Sequence, residues 1–195
     1  MNKEIIILNE DELLKLIKET PEAFSEIFEL YYKPIFGYVL RRTGEFDLTA
    51  DITSETFLKA FININKFNYT GISIKVWLYR IATNEINLFY RSKKKYQSVF
   101  ERLNLTHSTE FKNFIEFDRN VIEEEMLQHH QFNIVLHAVK VLPLKYQTAI
   151  ALRYFENKSN KEICEILQMK EGTLKSLLSR GIEQLRNKCD FNLIN

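Results

Sequence analysis

The stretch that decides the fold is Ser159-Asn160-Lys161-Glu162-Ile163-Cys164-Glu165-Ile166-Leu167-Gln168-Met169-Lys170-Glu171-Gly172-Thr173-Leu174-Lys175-Ser176-Leu177-Leu178-Ser179-Arg180. Ser159 and Glu162 stand three apart, the spacing at which a hydroxyl caps a helix while the glutamate reaches back to the cap's own N–H. Ile163, Ile166 and Leu167 then line one face of a short helix. Met169 fills a turn, and Leu174, Leu177, Leu178 and Ile182 face back from a second helix. Two helices related in this way make a helix-turn-helix, whose second helix lies in the major groove of DNA. Its outward positions are Glu171, Gly172, Thr173, Lys175, Ser176, Ser179 and Arg180. All are small or polar. Glutamate accepts from cytosine, lysine and arginine donate to guanine or phosphate, and the threonine methyl touches thymine. A plain helical hairpin with a solvated face has the same pattern, so this stretch alone leaves both readings open.

Outward from it, helical patterning continues in both directions. The last helix runs from Glu171 to about Lys188. Glu156-Asn157-Lys158 is a turn, and Leu142-Pro143-Leu144 separates one helix from another at about 144–155. Near the start, Asn9 caps a helix whose first turn holds Glu10, Asp11 and Glu12. Thr20 caps a second helix with Pro21 at its first position. That helix continues through Pro34 to Arg41-Arg42 and stops at Gly44. Asp47 or Thr49 caps a third, roughly 48–64, with Ile52, Phe57, Leu58, Phe61 and Ile62 as its apolar stripe. Residues 65–73 form a loop. A long helix, roughly 74–95, carries the stripe Trp77, Leu78, Ile81, Ala82, Ile86 and Phe89 and ends in a basic run. Periodicity is lost over 97–125. The expected fold is all-α, with a helical bundle over 1–97, a flexible linker over 98–128 and a helix-turn-helix domain over 129–195.

Bulk properties narrow the function. With 5 Gly and 3 Pro in 195 residues, the chain is poor in turn formers, as a helical protein should be. No apolar run approaches the roughly 20 residues that cross a bilayer, and no signal peptide is visible, so a cytoplasmic location without membrane insertion is expected. Cys164 and Cys189 lack metal-ligand spacing, and Cys164 reads as a small core residue. Adjacent His129 and His130 point about 100° apart on a helix. With no phosphate loop, nucleophile elbow or metal motif, we expect no enzyme activity, cofactor, metal or small-molecule substrate. The net charge is +1, but it is unevenly spread. Residues 75–95 hold 6 basic and 1 acidic side chains, residues 116–125 hold 1 and 5, and residues 140–190 hold 10 and 6. Two basic segments flanking an acidic one suit a protein that touches DNA twice.

Several segments together resemble a known family. Leu142-Pro143, Leu152-Arg153-Tyr154-Phe155-Glu156, Lys161-Glu162-Ile163 and Gly172-Thr173-Leu174-Lys175-Ser176 resemble the fourth region of extracytoplasmic-function (ECF) sigma factors of the sigma-70 family. Ala50-Asp51-Ile52-Thr53-Ser54-Glu55-Thr56-Phe57-Leu58-Lys59-Ala60-Phe61 is similar to the segment by which such factors hold RNA polymerase. Trp77-Leu78-Tyr79-Arg80-Ile81-Ala82-Thr83-Asn84 is similar to the segment that engages the melted promoter strand.

The resemblance implies core RNA polymerase and promoter DNA as partners, and often an anti-sigma factor clamped between the two domains. It implies polymerase contacts by Asp51, Thr53, Ser54, Glu55, Phe57 and Lys59, on the face opposite Ile52, Leu58 and Phe61. Contacts to the opened minus-ten element fall to Asn68, Tyr69, Lys75, Arg80, Asn84, Asn87, Arg91 and Lys93, with Trp77 and Phe67 kept for the core. Contacts to the minus-thirty-five element fall to Glu171, Gly172, Thr173, Lys175, Ser176, Ser179 and Arg180. The acidic linker would pass near the polymerase active site and RNA exit path. Where the family commonly has Gln and Ala, this chain has Ser54 and Gly181. Without the resemblance, the residues also fit a dimeric one-component regulator reading a palindrome without polymerase. Arg180→Ala is expected to weaken promoter use through the upstream element, and a footprint unchanged there counts against the role given to Arg180.

Overall fold

In the computed structural model the described residues are 10–67, 72–103 and 138–192, with side chains described to 93 in the second stretch and to 187 in the third. Helix α1 (Glu10–Glu19) opens with three acids, which suit the positive end of the helix dipole, and buries Leu13, Leu14 and Ile17. Asn9 lies outside the described residues. A 3₁₀ turn (Pro21–Ala23) leads into α2 (Phe24–Thr43). Thr20 is extended but its hydroxyl makes no capping bond, so the turn rather than a side-chain cap starts this helix. Pro34 sits inside α2 without ending it. Gly44, at φ 72°, closes it with an N–H to Leu40 O bond of 2.7 Å, a conformation that favours glycine.

Helix α3 (Phe46–Asn63) starts two residues before the expected point, and neither Asp47 nor Thr49 caps it. Thr49 is buried instead. Its hydroxyl bonds Glu45 O at 2.6 Å and Thr43 Oγ1 at 2.7 Å, which locks the α2–α3 corner. Aromatic rings zip α2 to α3. Phe36 meets Phe46 at 5.2 Å, Phe28 meets Phe57 at 4.9 Å, and Phe24 meets Phe61 at 5.2 Å, each edge to face. A 3₁₀ turn (Ile64–Lys66) follows, and buried Phe67 stacks on Trp77 at 4.6 Å, as expected for a core pair.

Helix α4 (Ile74–Leu103) runs past its expected end near 95. Leu78, Ala82 and Ile86 are fully buried against the first three helices, and Tyr38 and Thr83 share a buried hydroxyl bond of 2.9 Å. Of the expected linker, 98–103 is helical and the rest lies outside the described residues.

Residues 138–140 are helical, and α5 (Leu144–Ile150) follows Pro143. The expected helix to 155 changes pitch. Ala151–Phe155 is a π turn, closed by Glu156 N–H to Ala151 O at 3.0 Å. Helices α6 (Asn160–Leu167) and α7 (Glu171–Asn192) complete the described chain, in which every regular element is helical. One apolar cluster runs from Ile27, Leu78 and Ile86 into Ala149, Leu152, Ile163 and Leu174, so the two helical units are packed together. A smaller cluster, Val139, Leu142, Tyr146 and Ile150, holds α5 to its neighbours.

Gly181 lies where α7 crosses α5. A Cβ there would stand 3.2 Å from Ile150 Cδ1 and 3.4 Å from Tyr146. Alanine gains about 1 kcal/mol over glycine within a helix, and only the mobile end of Ile150 must yield. Gly181→Ala is expected to stabilise the fold by ~0.5 kcal/mol in urea titration. A lower midpoint would show that Ile150 is held too tightly to move.

Candidate nucleic-acid interface

The helix-turn-helix forms as its residues dictate. Ser159 Oγ accepts from Glu162 N at 3.2 Å, and Ser159 N donates to Glu162 Oε2 at 2.8 Å, so both halves of the capping box are made. These bonds hold the Glu162 carboxyl below its usual range, against the opposing effect of burial. Gln168 adopts the left-handed conformation at φ 52°, and Met169 N–H returns to Cys164 O at 3.0 Å. Leu174 is fully buried and anchors α7. As a result Glu171, Gly172, Thr173, Lys175, Ser176, Ser179 and Arg180 all lie exposed on α7. Glu171 and Lys175 pair at 2.9 Å in solvent, a contact of little energetic weight. Ser176 Oγ returns to Gly172 O at 3.0 Å. Nothing lies within 4 Å of a Cβ at Gly172, so the chain's own packing does not demand glycine there.

The α4 residues divide. Asn84, Leu88 and Arg91 are exposed at helical spacing, with Lys93 beside them and 5.8 Å above the Phe89 ring. Asn87 is half-buried, and its Oδ1 has no hydrogen-bond partner. Asn68 and Tyr69 lie outside the described residues. Arg80 departs from expectation. Its Nε and Nη2 donate to Glu165 O at 3.0 and 2.6 Å, so it grips the second helical unit instead of facing outward. Half-buried Lys75 stands near Lys158 of the same unit and helps lower its pKa.

On α3, Asp51 and Ser54 are exposed and Glu55 is partly so. Lys59 donates to Glu85 at 2.6 Å and pairs with Glu55 at 3.1 Å; the bond to Glu85 raises its pKa. Thr53 and Phe57 are corrections: both point inward, at 0% and 4% exposure, and neither is available to a partner. Conversely, Leu58, Phe61 and Ile62 were expected to be buried and stand exposed. The buried side of α3 runs through Thr49, Ile52, Thr53, Thr56, Phe57 and Ala60. Threonine suits it because its hydroxyl can bond the carbonyl one turn back, as Thr56 does to Ile52 at 2.7 Å.

Sequence reasoning missed a polar cluster between the units. Glu156 accepts from Arg41 Nε at 2.9 Å and from the Tyr79 hydroxyl at 2.8 Å. Buried Arg42 donates to Gln147 Oε1 at 2.7 Å and Thr148 Oγ1 at 3.0 Å, while its Nε has no partner. Burial lowers its pKa. The Lys158 ammonium is buried 4.1 Å from the Tyr79 ring centroid, and burial, then Lys75, lowers its pKa to about 8. The segment Leu152 to Glu156 was visible as a motif, but nothing in it named partners more than 70 residues away.

Residues 27–96 match the Sigma-70 region 2 family and residues 132–185 match Sigma-70, region 4. The chain is 32% identical over 171 residues to the ECF RNA polymerase sigma factor SigW of Bacillus subtilis (strain 168), covering 88% of this chain and 91% of that one. It is 26% identical to the ECF RNA polymerase sigma factor SigM of the same organism, covering 84% and 93%. Its fold is similar to that of the sigma factor RpoE in complex with the anti-sigma factor NepR from Bartonella quintana, at TM-score 0.60 and 19% identity over 84% of this chain and 94% of that one. It is also similar to CnrH in complex with the cytosolic domain of CnrY, at TM-score 0.63 and 16% identity over 93% and 97%.

Lys158 gives a pH-dependent prediction. A lysine whose pKa falls to about 8 on folding opposes the fold while charged, and that cost lifts as pH rises from 8 towards the ordinary 10.5. Lys158→Met is therefore expected to stabilise the protein by ~2 kcal/mol at pH 7, with the gain shrinking above pH 8. Thermal melts of both proteins between pH 7 and 10 test this; a difference independent of pH would show that Lys158 is not desolvated.

Proposed function

Because this chain belongs to the ECF group of the sigma-70 family, we propose a division of labour among its exposed helical faces. The protein is a sigma factor: it binds core RNA polymerase and recognises promoter DNA. The observation that carries the assignment of faces is the recognition helix, whose seven outward residues are all exposed within the segment matching region 4. Helix α7 reads the minus-thirty-five element through Glu171, Gly172, Thr173, Lys175, Ser176, Ser179 and Arg180. Asn84, Arg91 and Lys93 on α4, with Asn68 and Tyr69 in the preceding loop, serve the opened minus-ten element. Lys75 and Arg80 join them once the second helical unit moves away, and half-buried Asn87 lies on the same helix. Base stacking on Tyr69 would contribute about 1–3 kcal/mol, and the phosphate contacts weaken with salt.

The polymerase face is redrawn from the geometry. Asp51, Ser54 and Leu58 follow one another at helical spacing on the exposed side of α3, with Ile62 one turn beyond and Glu55 and Lys59 alongside. An exposed leucine and isoleucine rimmed by acids suit a docking surface with an apolar centre and a polar edge. Thr53 and Phe57 support this face from beneath. The bundle over 1–97, extended by the end of α4, is the polymerase and minus-ten module, 98–128 is the linker, and 129–195 is the upstream-element module. The protein acts without catalysis of its own, in the cytoplasm where polymerase and promoters are. An anti-sigma factor is its proposed regulator, since both structural neighbours are factors solved with other proteins and RpoE's partner is an anti-sigma factor. The dimeric-regulator alternative gives no account of the region 2 match.

Reconstitution with core polymerase tests the reading. The chain should comigrate with core and direct initiation from a subset of promoters in a genomic library; failure of both would sink it. Leu58→Asp should weaken core binding about 10-fold, roughly 1.4 kcal/mol, whereas Thr53→Val should bind as the parent does. Equal binding by Leu58→Asp would overturn the docking face.

A further inference from the structure

We infer that Leu88 is a base-reading residue: its exposed side chain, set among polar and basic residues on α4, takes the C5-methyl group of a thymine in or beside the minus-ten element. The inference rests on the assignment of α4 to that element and adds a specificity contact to it.

Leu88 does nothing for the fold of the described residues. Its side chain is 58% exposed and lies outside both apolar clusters. The other large apolar residues of this stretch of α4 are accounted for. Leu78 and Ile86 are fully buried, and Trp77, Ile81, Phe89 and Tyr90 pack in part against the main cluster. Among the described residues of α4, Leu88 alone is a large hydrophobic side chain standing in solvent.

Its surroundings say what would cover it. Asn84 and Arg91, one turn to either side, are exposed, and so is Lys93. Residues 75–95 carry 6 basic side chains and 1 acidic one. The single acid, Glu85, is 12% exposed and its carboxylate takes Lys59 of α3 at 2.6 Å, so it is neutralised on the far side from solvent. Leu58 on α3 makes the contrast. It is equally exposed, but its neighbours along the helix are Asp51, Ser54 and Glu55. One exposed leucine is rimmed by acids and the other by cations and an amide. A polyanion complements only the second.

A leucine within such a rim can neither bind a phosphate nor hydrogen-bond a base edge. Its attraction is to apolar surface alone, and of the four DNA bases only thymine displays a methyl group at its edge. The flanking cations suit phosphates, which set position, and Asn84 can take an adenine edge. The Cβ atoms of residues one turn apart on a helix stand roughly 5–6 Å apart, so Asn84 and Leu88 can address bases that are neighbours or nearly so. Leu88 thus supplies discrimination that the basic residues around it cannot.

The test uses the full chain reconstituted with core polymerase, on a promoter that the parent chain uses in the genomic library. Thymines of the minus-ten region are replaced one at a time by deoxyuridine, which removes the methyl group and leaves every hydrogen-bonding group in place. Binding of the holoenzyme is read by mobility shift. For the parent, at least one replacement should weaken binding about 4-fold, the effect of one methyl group leaving an apolar contact. Leu88→Asn and Leu88→Ala should bind the unmodified promoter about 4-fold more weakly and no longer distinguish deoxyuridine from thymidine at one such position. Leu88→Met, which keeps an apolar tip, should retain most of the discrimination. Circular dichroism establishes that the variants remain helical. No methyl-sensitive thymine for the parent overturns the inference, and so does full methyl sensitivity in Leu88→Ala, the result expected of a leucine that serves only the helix. Weakened comigration of Leu88→Ala with core also overturns it, by placing Leu88 on the polymerase surface. Failure of the parent chain to initiate anywhere is seen before any substitution is made, and is the failure of the sigma-factor reading instead.

Discussion

Helix α4 has one circumference to divide among three tasks, and the rest of the structure follows from that division. At 3.6 residues per turn, Leu78, Ala82 and Ile86 form one line, and that line closes the first bundle. Asn84, Leu88 and Arg91 form a second line that stays in solvent. Tyr79 and Arg80 lie on the flank that meets Glu156 and the end of α6. Since the lines are fixed to one rigid rod, the bundle core sets the direction of both other surfaces. A change in the packing of Leu78 would turn the proposed nucleic-acid face and the inter-unit contacts together.

The bonds between the units differ in kind from those within them. Inside the bundle the joints are aromatic edges and closed hydroxyl pairs such as Tyr38 with Thr83, which lose nothing by being dry. Between the units the joints are mostly guanidinium groups: Arg41 on the Glu156 carboxylate, Arg42 on uncharged acceptors, and Arg80 on the Glu165 carbonyl with the Glu165 carboxylate 3.6 Å away. A desolvated guanidinium on a carbonyl recovers less of its hydration than one on a carboxylate. The first set of joints favours permanence and the second favours exchange, although a shared apolar cluster accompanies both.

Local chemistry was legible in the sequence wherever partners are close along the chain. Ser159 and Glu162 announced the capping box, Gly44 announced a helix end, and the outward face of α7 followed from the spacing of Leu174, Leu177 and Leu178. Reading failed where burial contradicted polarity. Thr49, Thr53 and Thr56 went inside while Leu58 and Ile62 stayed out; Thr49 and Thr56 satisfy their hydroxyls on the carbonyl one turn back, whereas the Thr53 hydroxyl is buried without a partner. It failed again where the partner is remote. Arg80 looks like any basic residue on a DNA-facing helix, and only the three-dimensional packing brings it to Glu165. The π turn was invisible for the same reason: it places Glu156 for contacts with Arg41 and Tyr79 that no local pattern encodes.

The stack of Trp77 on Phe67 gives the protein an optical voice. This is the chain's single tryptophan, only partly buried, and it leans on the residue from which the loop before α4 departs. Its emission therefore arises from one place, at the root of the loop assigned to a captured base. Quenching by a stacked nucleobase, or a shift in colour as water leaves, would report strand capture in real time without any label.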